Sequence, residues 1–151
     1  MEAAIKVEWV AGPLAVPYLG ERWAQAALRI VETDEKLRAA LGGARLSLLT
    51  IILHPPKDCY GFIYAAFDEA GLADYRVGHD YDEVTRDIDP PTFVVSGRYD
   101  IFAAVQRGEL TERKALLSGQ LHLTGSWARA LRHMRALEAM AEALGAIDCK
   151  T

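Results

Sequence analysis

Cysteine is scarce, apolar runs are short and positive charge is in deficit, and each shortage removes a class of protein. Cys59 and Cys149 are the only thiols, far apart and without a CxxC pair, so no disulfide framework is expected and free thiols in a reducing compartment are. The longest apolar stretch, Leu46 to Leu53, is broken by Ser47 and Thr50 and is too short to span a bilayer. Lys and Arg number 17 against 21 Asp and Glu, for a formal net charge of −4. No stretch interleaves basic with aromatic residues, so nucleic acid is not expected as a partner. Glu2, Lys6 and Glu8 are scattered where a secretory leader would order a basic start and an apolar run, and a cytoplasmic location is expected. Gly-x-Ser-x-Gly, Gly-x-x-x-x-Gly-Lys and Gly-x-Gly-x-x-Gly are all missing. No enzyme activity, catalytic residue or cofactor is therefore expected.

What is present is ordinary globular material: 151 residues, 51% hydrophobic and 25% charged, enough for one core. Near the start, Ile5, Val7 and Trp9 alternate with Lys6 and Glu8 like a strand, but Pro13 and Pro17 stop any long element. From Gly20, the residues Trp23, Ala26, Ala27, Ile30 and Val31 recur at helical spacing. Thr33 or Asp34 can cap a second short helix, which Gly42 and Gly43 end after Leu41. The period then changes: Leu46 to Leu53 and Tyr60 to Phe67 read as strands across a Pro-containing turn, and Leu72 to Val77 as a third. His79 to Pro91 is a polar loop, and Thr92 to Ser96 a fourth strand. Tyr99, Ile101, Phe102 and Val105 form a helical stripe ending at Gly108, and Thr111 opens a short helix through Leu117. Leu121 and Leu123 alternate with polar neighbours in a fifth strand, Gln120 to Thr124. Ser126 then caps one last helix, in which Trp127, Leu131, Met134, Leu137, Ala141 and Leu144 fall within an arc of roughly 140°. Strands and helices are segregated enough for an α+β fold.

The polar side chains suggest little chemistry. The loop holding His79, Asp80, Asp82, Glu83, Asp87 and Asp89 lacks the calcium-loop pattern, and His54 with Cys59 lacks the further ligands of a closed zinc site. No metal is expected. His122 and His133 read as surface or rim residues. Arg129, Arg132 and Arg135, with Arg113 and Lys114, are either a solvated face or an attraction for an anionic head group or a membrane surface.

One family is visible in the last third. Thr92-Phe93-Val94-Val95-Ser96-Gly97, then Tyr99-Asp100-Ile101-Phe102 and Gly108-Glu109-Leu110, resembles the fourth strand and following helix of the sterol carrier protein 2 (SCP2) family. Lys114 to Gly125, with its Ser118-Gly119 turn and alternating Gln120 to Thr124 strand, resembles that family's signature. Gln120 stands where the family usually has Lys, and the turn at Asp68 to Gly71 is longer than its common Asp-Gly. The chain ends Asp148-Cys149-Lys150-Thr151 rather than in a Ser-Lys-Leu type address, so no peroxisomal location follows. The resemblance covers residues 20–145, leaving 1–19 as an N-terminal extension and 146–151 as a tail. It implies a five-stranded, mostly antiparallel sheet covered by helices, with an apolar tunnel between them for a fatty acid, acyl-CoA, sterol or isoprenoid-like lipid. The implied task is non-enzymatic lipid binding and transfer, with transient membrane contact; the alternative is an interaction or dimerisation module of the same shape without a usable cavity. The tunnel residues expected are Phe102, Leu116, Leu121, Leu123, Trp127, Leu131, Met134 and Leu137, any of which would also suit a plain core. Met134 and Met140 add thioethers that repack around varied ligands.

Overall fold

A computed structural model describes residues 16–151 of the chain; the strand-like alternation at Ile5 to Trp9 lies outside the described residues. The first described element, β1 (Val16–Pro17), leads into α1 (Glu21–Thr33), which turns Trp23, Ala24, Ala27 and Val31 inward. Helix α2 (Glu35–Leu41) follows at once, because the Asp34 carboxylate accepts from the Leu37 amide at 2.8 Å and so caps its first turn. Gly42 at φ 58° ends it, in the left-handed region that glycine enters at little cost.

Strands β2 (Leu46–Leu53), β3 (Phe62–Asp68), β4 (Gly71–Gly78), β5 (Phe93–Arg98) and β6 (Leu121–Thr124) form one sheet in the order β4-β3-β2-β5-β6. Only the β2–β5 pairing is parallel; the other three are antiparallel. Ser47 and Thr92 brace the start of the parallel pair, each backbone N–H donating to the other's hydroxyl, at 2.9 and 3.0 Å.

Side chains alternate across this sheet, as a pleated strand requires. One face carries Leu48, Thr50 and Ile52 of β2, Ile63 and Ala65 of β3, and Val95 of β5 toward the helices. Leu49, Phe62 and Tyr64 point to the opposite face and meet Val84, with Ile88 packed against them. The segment expected as a polar loop is therefore a cover: it contains the short helix α3 (Asp82–Thr85), whose Val84 is 3% exposed. Hydrophilic composition hid two apolar residues that close the sheet's back.

The helical face is roofed by α1, α4 (Tyr99–Gln106), α5 (Glu112–Leu117) and α7 (Met134–Gly145). The single last helix expected from periodicity is two, α6 (Trp127–Arg132) and α7, separated by His133 at φ −105° and ψ 16°. The first described residues pack against the last. β1 pairs in parallel with β7 (Cys149–Lys150), the Tyr18 amide donates to the Lys150 carbonyl at 2.9 Å, and Ile147 is 3% exposed. Residues 16–19 and 146–151 thus pack into the same body as residues 20–145.

Candidate functional site

Between the sheet's inner face and its helical roof lies a cavity of about 130 Å³, measured as space open to the centres of water-sized groups. One water needs only about 10–15 Å³ of occupied space, so the cavity has room for several small groups. The floor is the alternating set from β2, β3 and β5 together with Leu123 of β6. Trp23, Ala27 and Val31 of α1 close one side. Phe102, Val105 and Gln106 of α4 and Glu112 and Leu116 of α5 close another, and Leu137, Met140, Ala141 and Leu144 of α7 complete the roof. Apolar walls with a few polar groups are the usual composition of a small-molecule site.

Of the eight residues expected to form the tunnel, Phe102, Leu116, Leu123 and Leu137 line this cavity. Leu121 does not. It is 2% exposed and sits opposite Gly97 in the β5–β6 ladder, where its Cδ2 occupies the space a side chain at Gly97 would need. Trp127 and Leu131 are also displaced, being 48% and 66% exposed, and Met134 is half-buried outside the lining. The cause is the break at His133: α6 buries only Ala130, while α7 turns Ala136, Leu137 and Met140 inward.

Sequence reasoning missed the polar part of the lining. Tyr75 and Gln106 are already engaged: the Tyr75 hydroxyl donates to the Ala24 carbonyl at 3.0 Å, and Gln106 Nε2 donates to the Leu144 and Ile147 carbonyls, both at 3.3 Å. Tyr18 stands edge-on to Trp23, with ring centroids 5.2 Å apart. Burial pushes its phenol well above the ordinary tyrosine range, with the charges of Cys149, Tyr99 and Glu112 adding to the shift. Glu112 is half-buried by area, and burial, reinforced by the neighbouring Glu138 charge, pushes its carboxyl up to about 7. No sequence signal singled out Glu112, since a Glu in the first turn of a helix is ordinary. The alternation of β2 and β3 did carry a signal for the floor, once the covered face was known.

No family model and no curated protein matches the sequence. Solved structures do. A sterol carrier protein 2 crystal structure superposes with a TM-score of 0.70 at 19% identity, covering 86% of this chain and 98% of that one. The fold is that of sterol carrier protein 2. A conserved hypothetical protein of Thermus thermophilus gives 0.69 at 19% identity, over 89% of this chain and 92% of that one. The sterol carrier protein domain 2 of Helicoverpa armigera gives 0.51 at 14% identity, over 86% and 91%. The SCP2-like architecture therefore extends over most of the chain, and the cavity lies within it. Among the described residues there is no group of three or more metal-ligating side chains, and no helix long and apolar enough to cross a membrane.

Proposed function

We propose that the protein binds and transfers a single-chain apolar lipid, held in the cavity between sheet and helices, without catalysing a reaction. The observation that carries this reading is the apolar lining itself, contributed by both layers of an SCP2-like fold and left unfilled by side chains. Each methylene taken from water contributes about 0.8 kcal/mol, so roughly ten contribute near 8 kcal/mol before ordering costs. That gross gain is an upper bound on the binding free energy, and it needs no reacting group.

Exchange at a membrane completes the proposal. Trp127 and Leu131 stand exposed on α6 beside Arg129 and Arg132, with Arg135 at the start of α7. An aromatic and an aliphatic side chain next to cations suit an anionic lipid surface.

Native mass spectrometry of the freshly purified chain, followed by organic extraction, tests the reading. A stoichiometric acyl or isoprenoid species is expected, and Leu123→Trp with Leu137→Trp should abolish uptake of a fluorescent fatty alcohol while leaving the circular dichroism spectrum unchanged. An empty protein that takes up neither fluorescent fatty alcohol nor fluorescent fatty acid would instead favour an interaction module.

A further inference from the structure

The cavity is not uniformly apolar, and its polar groups differ in what they have left to give. Tyr75 and Gln106 spend their donors on backbone carbonyls. Trp23 does not: its residue is 2% exposed, and its Nε1–H is buried without an acceptor. Native structures rarely leave a buried donor so, because its hydration is lost and nothing replaces it. Tyr18 packs edge-on against the same indole at 5.2 Å and lies close enough to Glu112 for that carboxylate's charge to disfavour its own ionisation. Trp23, Tyr18 and Glu112 all line the cavity, so a spare donor, a hydroxyl and a carboxyl belong to its walls, with Tyr18 packed on Trp23 and feeling the charge of Glu112.

We propose that this polar part of the wall is a head-group subsite for a neutral lipid bearing a hydroxyl, with Trp23 donating to the hydroxyl oxygen, Glu112 accepting from its O–H, and a lipid carboxylate being turned away. The proposal rests on the cavity being the lipid site. A hydroxyl is both donor and acceptor, which matches the pair. A carboxylate offers only acceptors and would bring a second negative charge beside Glu112 in a poorly solvated space, where like charges repel strongly. The groups facing Glu112 sharpen this. Glu138 on α7 is of the same sign, its partner Arg113 is directed at Glu138, and Tyr18 stays protonated. Protonation of Glu112 near neutrality would remove the repulsion, so discrimination should weaken as pH falls.

The test uses the full chain, stripped of lipid, and three probes of equal chain length: decane, 1-decanol and decanoate, each displacing 1-aminoanthracene. Decanoate stays ionised between about pH 6 and pH 8.5, so any change in its affinity across that window reports the protein. The expected result at about pH 8.5 is that decanol binds at least about tenfold more tightly than decanoate, with decanoate tightening about fivefold or more on going to about pH 6. Glu112→Gln should tighten decanoate at the higher pH and flatten its pH dependence. Trp23→Phe should weaken decanol several-fold and leave decane unchanged. Equal affinities for alcohol and acid in the wild type, or a Glu112→Gln ratio and pH profile identical to the wild type, would overturn the proposal while leaving lipid carriage standing. Failure of all three probes to bind would overturn both.

Discussion

Glu112 is the residue at which chemistry and stability meet. Its ordinary value is 4.5 and burial raises it to about 7. Between those values the folded chain holds a proton that the unfolded chain releases. Linkage then fixes the sign: the folded state is favoured at the acid end of this window, and stability falls as pH rises through it. Glu112→Gln should flatten that slope between about pH 5 and pH 7.5, read from thermal melts at each pH. The exposed carboxylates paired with arginine, Glu69 with Arg45 and Glu109 with Arg107, are shifted down. Their contribution has the opposite sign, being present above 4.5 and lost in acid. Gly97 matters through volume rather than charge. An added Cβ would run into Leu121 and close on Phe102, so Gly97→Ala should cost about 1–3 kcal/mol in a denaturant titration and leave decanol uptake to be measured separately.

At the scale of the element, the informative feature is the break between α6 and α7. Periodicity placed Trp127, Leu131, Met134 and Leu137 on one stripe, and a continuous helix would have buried all four. His133 interrupts the axis, its ring standing edge-on to Phe93 with centroids 6.4 Å apart, so Leu137 reaches the cavity while Trp127 and Leu131 face outward. Two consequences can be separated experimentally. Replacing both Trp127 and Leu131 by Ser should change folding stability by less than about 0.5 kcal/mol per site, yet slow lipid exchange with anionic vesicles several-fold in a transfer assay. Leu137→Ala, by contrast, removes a side chain that is 8% exposed and should cost about 2–4 kcal/mol in denaturant.

For the body formed by the described residues, closure depends on residues 16–19 meeting residues 147–150. β1 and β7 form a two-stranded parallel sheet, the Tyr60 amide donates to the Leu19 carbonyl at 2.8 Å, and Ile147 joins the cluster that holds Val16, Tyr18 and Trp23. Tyr18 and Leu19 line the cavity, so this seam is also one of its walls. Ending the chain after Gly145 should remove Ile147 and β7 together. The expected loss is roughly 2–5 kcal/mol, or a melting temperature lower by about 5–15 °C in a calorimetric scan. An unchanged melt would mean that the seam contributes nothing to the core.

Local rules alone decided much of this protein. Apolar spacing over Trp23 to Val31, alternation over Leu46 to Phe67, and the caps at Asp34, Thr111 and Ser126 depend on neighbours within a few residues, and such signals survive in a linear string. Residues 92–125 carried enough of the SCP2 pattern to indicate the sheet and its helices. Tertiary structure decided the rest, because burial is a property of what an element packs against. It turned half the expected tunnel residues away from the cavity, placed Val84 and Ile88 over the back of the sheet, and drew Tyr18 and Glu112, distant in sequence, to one apolar space. No periodicity records that a first-turn glutamate will lose its water, since the groups that remove it arrive only when the chain closes.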